Sequence, residues 1–137
     1  MYSIEPAEYG VKLTFEGFID AAEMNRWLDE SRKFLNGLEK DFCVFVDMRN
    51  LKPLSPLEKD IIKRGQMLYK SMGMKRSVVI LSNPVTNLQF TKIAHESGIF
   101  EGERYIDASR VSDWEQVALD WLIRGVQPCP DTGRILV

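Results

Sequence analysis

Two continuous apolar runs constrain the fold of this chain more than any other feature. The first covers Phe42 to Val46 and ends on Asp47, and the second covers Val78 to Leu81. Runs of this length without polar alternation are typical of strands covered on both faces, as in a parallel sheet. The segment between them has helical periodicity. The two runs therefore predict a strand, a crossover helix and a second strand at the centre of an α/β domain.

The crossover helix carries clear start and stop signals. Ser55, followed by Glu58 three residues later, has the pattern of a capping box, and Pro56 occupies the first helical position. Gly73 is suited to end the helix. The residues predicted to face the sheet are Leu57, Ile61, Leu68 and Met72.

The remaining elements complete an alternation of strands and helices. Period-two apolar residues on either side of Glu8-Tyr9-Gly10 predict a hairpin, and Asp20 is suited to cap the helix that follows. A third helix is expected from Asn83-Pro84 to Gly98, a short strand at 104–107, and a last helix from Ser112 or Asp113 to Gly125.

This order predicts a single α/β domain over residues 1–125, followed by an irregular tail over 126–137 with two prolines and a glycine. We expect a (βα)n right-handed superhelix with four helices and a mostly parallel sheet of four to five strands. The N-terminal hairpin is expected to form an antiparallel edge of that sheet.

Composition excludes several classes of function. The chain has 137 residues, a formal charge of -2 and no basic block, so nucleic-acid binding is disfavoured. Cys43 and Cys129 form neither a disulfide framework nor a metal spacing, which favours a reduced, cytoplasmic protein without a metal or cofactor. No apolar run approaches the roughly 18 to 20 residues of a membrane span, although a peripheral membrane contact is left open.

Several segments together resemble one superfamily. They are Phe45-Val46-Asp47-Met48-Arg49, Gly73 to Leu81, Gln89-Phe90, Glu96 to Ile99 and Glu103 to Ala108. With the order of elements over residues 1–125, they are similar to the SpoIIAA-like superfamily, the STAS fold of anti-sigma-factor antagonists, and more closely to its uncharacterised bacterial STAS/SEC14-like branch. The resemblance implies a SpoIIAA-like fold, which in this branch is described as lipid-binding-like, and a binding or regulatory role without an assigned reaction.

One segment departs from the pattern of STAS antagonists. Those proteins carry an Asp-Ser-Ser-Gly-like loop whose serine is phosphorylated to switch partner binding, whereas this chain has Leu51 to Leu57 without a Ser-Gly pair. Ser55 could take the place of the phosphoacceptor, since a helix N-terminus favours negative charge. The preferred interpretation of Ser55 is a helix cap.

Polar residues follow both central strands, where ligands collect in parallel sheets. Asp47, Arg49 and Asn50 follow the first strand, and Ser82 and Asn83 follow the second. These residues are expected to share one crevice and to bind a ligand or partner. The alternatives are that Asp47 and Arg49 fasten the loop, that Asn50 is a turn residue and that Asn83 caps a helix.

Gly65 lies inside the predicted crossover helix, where a glycine costs about 1 kcal/mol relative to alanine. One interpretation is close packing of the helix. The other is a pocket for an apolar or lipid ligand next to Gly65, rimmed by Trp27, Met67, Leu68, Met72 and Phe90.

Three functions follow from these patterns. The first is a non-enzymatic binding or regulatory domain that recognises a protein partner or small apolar ligand near the strand-end loops. The second is a lipid or apolar-ligand carrier with a pocket near Gly65. The third is an enzyme of unknown reaction using Asp47, Arg49 or the single histidine, His95. A surface or helix-cap role is preferred for His95, and Cys43 is expected to be a buried, inert thiol.

A homodimer is also predicted, because two apolar segments offer surfaces to cover. They are the hairpin residues Val11, Leu13 and Phe15, and the chain end at Ile135-Leu136-Val137.

Overall fold

A computed structural model of the chain describes residues 1–83, 89, 92–93, 95–98 and 100–128. The five strands in this part of the chain are β1 (Tyr2–Ala7), β2 (Gly10–Phe15), β3 (Cys43–Asp47), β4 (Arg76–Leu81) and β5 (Glu103–Asp107). The helices with described bounds are α1 (Ala21–Leu35), α2 (Pro56–Ser71) and α3 (Trp114–Arg124). A short 3₁₀ turn, Phe100–Gly102, precedes β5.

The strands form one mixed sheet in the order in which they occur in the sequence, β1-β2-β3-β4-β5. The β1–β2 hairpin is antiparallel and all other pairs are parallel. The α/β class and the antiparallel hairpin are therefore confirmed, with β1 at one edge of the sheet and β5 at the other. Each of β3, β4 and β5 follows a crossover, as the alternation of apolar strands and helices predicts.

Local signals set the helix ends. The carboxylate of Asp20 accepts a hydrogen bond from the Glu23 amide (2.8 Å), which caps α1 as predicted. Pro56 is the first residue of α2. Gly73 follows the C-cap of α2 at φ +105°, and Gly125 caps α3 in the left-handed region at φ +69°. The two glycines end their helices because this backbone conformation strains other residues.

The two faces of the sheet are covered differently. One face packs against α1 and α2 in a large core that includes Leu13, Val44, Val79, Trp27 and Tyr69. The helical residue Ile93, between β4 and β5, belongs to the same core. The opposite face packs against α3 in a smaller core, whose members include Phe45, Ile80, Ile106, Trp121 and Leu122.

Two predictions about side chains are wrong. Leu57 was expected to face the sheet, but it is 59% exposed, and the buried residues of α2 are Ile61, Ile62, Gly65 and Tyr69. The buried face of α2 is rotated about the helix axis relative to the predicted face, because Gly65 and Tyr69 lie against Trp27 of α1. The hairpin residues proposed as a dimer surface, Val11, Leu13 and Phe15, are buried in the core of a single chain because α1 packs over that face of β2.

Parts of two predicted segments lie outside the described residues. In the third predicted helix, Gln89, Lys92, Ile93 and the stretch 95–97 are helical, and Pro84 at its predicted start is not described. Residues 129–137, with Cys129 and the apolar chain end, are likewise outside the description. Within the described residues, no helix combines the length and apolar character needed to cross a membrane.

Candidate functional site

Asp47 and Arg49 form a two-point ion pair at the carboxyl end of β3. The Arg49 guanidinium donates to both carboxylate oxygens of Asp47, at 3.0 Å from Nε and 2.9 Å from Nη2. The Arg49 amide donates to the same carboxylate at 3.1 Å. Burial acts to raise the pKa of Asp47, but the Arg49 hydrogen bonds outweigh it and hold the pKa below its ordinary value. The pair folds the loop back onto the end of its own strand.

Neighbouring elements fix the same loop. The guanidinium of Arg49 lies over the ring of Trp114, the first residue of α3, at 4.4 Å from the centroid. The hydroxyl of Ser82, just after β4, donates to the Arg49 carbonyl at 2.6 Å. The structure therefore brings Asp47, Arg49 and Ser82 together at this end of the sheet. These contacts match the alternative interpretation, in which Asp47 and Arg49 fasten the loop to the end of the strand.

The next residues of this loop pair with the loop that follows β2. The Gly17 amide donates to the Asn50 carbonyl (2.8 Å), and the Lys52 amide donates to the Gly17 carbonyl (3.1 Å). Gly17 and Leu51 thus form a short parallel bridge. Asn50 itself is exposed and lies in the turn, as its turn interpretation expects. The two loops at the carboxyl ends of β2 and β3 are held as one unit.

The start of α2 differs in detail from a capping box. Ser55 is the N-cap residue, but its hydroxyl donates to the Glu58 carboxylate and accepts no hydrogen bond from the backbone N–H groups of the first turn. A second anchor lies one residue earlier, where the Gln89 side chain makes two hydrogen bonds to the Leu54 backbone. Its carbonyl accepts from the Leu54 amide (3.0 Å) and its amide donates to the Leu54 carbonyl (2.9 Å). This clamp ties the β3–α2 loop to the helical segment between β4 and β5.

Exposed apolar side chains lie on these two joined loops and at the start of α2. Phe18, next to Gly17, is 80% exposed, and the ammonium of Lys52 lies 5.4 Å from its ring centroid. Pro53 is also exposed, as is Leu57 in the first turn of α2. We call Phe18, Lys52, Pro53 and Leu57 the strand-end surface. Sequence reasoning missed Phe18, although an aromatic residue between Gly17 and the capped start of α1 is a signal that could have found it.

The Gly65 position is filled by an aromatic ring. A Cβ atom at Gly65 would lie 2.2 Å from Cη2 of Trp27, so the indole occupies the space that a side chain would need. Trp27 also stacks on Tyr69, with ring centroids 5.9 Å apart, and Tyr69 shares a hydrogen bond with Ser31. This contact matches the close-packing interpretation of Gly65. The predicted hollow at this position is taken up by Trp27 itself.

A cavity of about 40 Å³ lies in the same core, between the sheet and helices α1 and α2, and Trp27 and Tyr69 are among its lining residues. Its walls are mostly apolar, and a carboxyl group, Glu103 of β5, is one of its lining residues.

Glu103 is only 4% exposed. Ser77 of β4 donates to its Oε1 at 2.9 Å, and the Tyr105 hydroxyl donates to its Oε2. Burial raises the pKa of Glu103 to about 7, although these two hydrogen bonds act against the shift.

Sequence reasoning named Glu103 only within the segment Glu103 to Ala108 and did not single it out as a buried or functional residue. An acid at the first position of a strand, followed by Arg104, has the appearance of an exposed polar flank. The one available signal is the period of two, which places Glu103 on the same face of β5 as the buried Tyr105.

Three further residues that sequence reasoning considered are His95, Asn83 and Cys43. His95 is exposed, on the helical stretch whose neighbours Glu96 and Ser97 contact Lys63 and Gln66 of α2. Asn83 is half-buried directly after Ser82, at the carboxyl end of β4. Cys43 is buried, and its thiol donates to the Leu122 carbonyl at 3.4 Å. The described residues contain no group of three or more His, Cys, Asp or Glu side chains suited to a metal ion.

Comparison of the chain with protein-family models, with curated proteins and with solved structures gave no significant match.

Proposed function

We propose that this protein is a non-enzymatic binding or regulatory domain that recognises a protein partner through the strand-end surface. One observation carries the proposal: Phe18 is 80% exposed on a loop that is fixed on both sides by backbone hydrogen bonds. Covering a side chain of this kind contributes about 1.5–3 kcal/mol. A large apolar side chain held in one place in water is typical of an interaction site.

The frame beneath this surface supports the proposal. The Asp47–Arg49 pair, the stacking of Arg49 on Trp114 and the Gly17–Leu51 bridge hold the loops without a bound partner. A surface that is ordered in advance loses little conformational entropy on binding. Lys52 beside Phe18 adds a positive charge, which favours an acidic rim on the partner.

Features of the fold support membership of the SpoIIAA-like, STAS-type superfamily as part of the same proposal. The strands follow one another in sequence order, and α1, α2 and the helical residue Ile93 all lie on one face, as in a (βα)n superhelix. The exposed Ser55 hydroxyl is engaged by Glu58, whose carboxylate would repel a phosphate. This contact supports partner recognition without phosphorylation of Ser55.

The contacts of the other candidate residues favour this proposal over the two alternatives. Asp47 and Arg49 satisfy each other, and His95 lies on a stretch that packs beside α2, which supports a role other than catalysis. Trp27 occupies the space at Gly65, which counts against a carrier pocket at that position. The buried thiol of Cys43 is compatible with the cytoplasmic location that we propose.

Site-specific photocrosslinking in the native host cell tests the proposal. A photoreactive phenylalanine analogue replaces Phe18 in one variant and the exposed Met67 of α2, which is 51% exposed, in the matched control. We expect one defined protein adduct from position 18, its loss when Leu57→Ser is added, and no such adduct from position 67. Identical adducts from both positions, or no adduct from position 18, would contradict a strand-end partner site.

A further inference from the structure

Helix α2 and the helical residues between β4 and β5 lie side by side. Their side-chain contacts occur in the same order along both stretches of chain: Leu54 with Gln89, Lys63 with Glu96, Gln66 with Ser97 and Lys70 with Gly98. The Lys63 ammonium lies 3.2 Å from the Glu96 carboxylate, and the Ser97 hydroxyl donates to Gln66 Oε1 at 2.7 Å. An order that ascends on both sides means that the two segments run in the same direction, and the contacts fix their register.

This register places Lys59 and Lys92 opposite each other. Each lies about one helical turn before a member of the Lys63–Glu96 pair, since Lys59 precedes Lys63 by four residues and Lys92 precedes Glu96 by four. Residues four apart lie on the same side of a helix, so the two lysines are on the sides of the helices that the pair joins. Both lysines line a groove of about 220 Å³ between these helical segments.

The two lysines have no acidic partner within the described part of the chain. The acids that line the groove are engaged elsewhere, Asp60 with Arg64 at 3.4 Å and Glu96 with Lys63. Neither lysine takes part in any of the ion pairs of the described residues. With these two acid–base pairs the lysines carry a net charge of +2, whereas the whole chain carries -2. Two ammonium groups opposite each other repel, and an anion between them relieves the repulsion.

The groove adjoins the strand-end surface. Pro56, at the first position of α2, lines the groove, and the next residue, Leu57, belongs to the strand-end surface. The Gln89 side chain holds the Leu54 backbone just before this turn. A segment that passes from Leu57 along α2 by about one helical turn reaches Lys59 and the groove.

We propose that the groove binds an acidic segment of the protein partner, with its carboxylates between Lys59 and Lys92. Carboxylates accept strong, charge-assisted hydrogen bonds from ammonium groups, and the positive end of α2 adds to the attraction. A pocket for a whole small ligand usually has about 300–1,000 Å³, more than this open groove, which favours side chains of a larger molecule. That the segment belongs to the partner rests on the proposed function, because the same partner covers Phe18 and Leu57.

Titration of the full chain with end-capped hexaglutamate, followed by NMR of the backbone amides, tests the groove without the partner. We expect shifts at Lys59 and Lys92, and affinity at least about threefold weaker when salt is raised from about 0.05 to about 0.5 M, because salt screens exposed charges. End-capped hexaglutamine, which has the same length without charge, should bind at least about fivefold more weakly. Inorganic phosphate should also bind at least about fivefold more weakly, because it cannot place successive anions along the groove.

Two double variants with the same change in net charge test the role of the lysines. Lys59→Gln combined with Lys92→Gln should lower the affinity for hexaglutamate at least about fivefold, because two ion pairs are lost together. Lys33→Gln combined with Lys40→Gln removes two exposed lysines that do not line the groove and should bind as the parent does. Equal losses in the two double variants, shifts confined to residues outside the groove, or phosphate binding as tight as that of hexaglutamate would overturn the proposal.

Photocrosslinking from position 18 separates this groove from the strand-end site. In the variant that lacks Lys59 and Lys92, the yield of the partner adduct should fall at least about threefold. An unchanged yield would overturn the groove site alone and leave the strand-end site intact. Absence of any adduct from position 18 in the parent would contradict the proposed function, and the hexaglutamate titration would still decide whether the groove binds acidic peptide.

Discussion

The indole of Trp27 occupies the space over Gly65 that any other residue at that position would need. Alanine there would place its Cβ 2.2 Å from Cη2 of the indole, and the ring is also held between Phe15 and Tyr69. Helix α1 therefore packs closely against α2 because the large side chain of Trp27 lies where Gly65 has no side chain.

We expect Gly65→Ala to destabilise the protein. Overpacking of a core costs about 1–3 kcal/mol, and the better helix propensity of alanine returns at most about 1 kcal/mol. Urea unfolding followed by tryptophan fluorescence measures the difference. The control is Met67→Ala on the exposed side of the same helix, which should change stability by less than about 0.5 kcal/mol. Equal or higher stability of Gly65→Ala would show that Trp27 moves aside freely.

Asp47→Asn should lower stability by on the order of 1 kcal/mol, because it breaks a charge-assisted pair that is only partly exposed. The folded state holds the pKa of Asp47 below its ordinary value of 3.8. The contribution of the pair is therefore present above about pH 3.8 and is lost as the pH falls through the lower pKa of the folded protein.

Unfolding experiments over an acidic pH series test this dependence on Asp47. The gap in stability between the parent and Asp47→Asn should close as the solution becomes more acidic. Asp29→Asn, in an exposed ion pair with Arg32 on α1, serves as the control and should have little effect at any pH. A gap that stays constant down to the lowest pH would contradict a role for the Asp47 charge.

Glu103 should make the protein less stable as the pH rises. Its pKa in the folded state is raised from 4.5 to about 7, so its favourable contribution is complete below pH 4.5 and is lost as the pH passes through about 7. The full difference corresponds to roughly 3 kcal/mol at most. In Glu103→Gln this loss should disappear, since the amide does not ionise.

Thermal unfolding of the parent and of Glu103→Gln across this pH range measures the effect. The two melting temperatures should diverge as the pH increases, with Glu103→Gln the more stable at the alkaline end. Parallel curves for the two proteins would mean that Glu103 keeps an ordinary pKa in the fold.

Gln89→Ala should loosen the start of α2. It removes both hydrogen bonds to the Leu54 backbone, and a buried backbone group left without a partner costs about 1–3 kcal/mol. Hydrogen exchange at the Leu54 amide is expected to accelerate at least about tenfold, corresponding to 1.4 kcal/mol. Lys92→Ala, on the same helical stretch and exposed, is the control. Unchanged exchange at Leu54 would show that another group takes over the hydrogen bond.

Sequence reasoning worked where a residue acts on its own backbone. Asp20, Pro56, Gly73 and Gly125 mark helix ends in the structure because caps and left-handed glycines depend on neighbouring atoms only. The two apolar runs likewise identified the central strands β3 and β4. These signals depend on residues that are close in sequence, so the contacts formed elsewhere in the fold do not change their outcome.

Predictions failed where the outcome depends on contacts between distant residues. The buried face of α2 depends on Trp27, which lies 38 positions before Gly65. Glu103 is buried among residues of other elements, and its carboxylate accepts a hydrogen bond from Ser77 of the neighbouring strand. The apolar residues of β2 looked available for a dimer because nothing in their own pattern shows that α1 packs over them. The dimer itself stays a prediction.

The single described helix on the second face of the sheet has a consequence for biosynthesis. All five strands leave the ribosome before α3, yet Ile80, Ile106 and Phe45 depend on the core that α3 completes. Until Trp121 and Leu122 emerge, the nascent sheet leaves one apolar face uncovered. The second core is therefore completed only after the last turns of α3 have been synthesised.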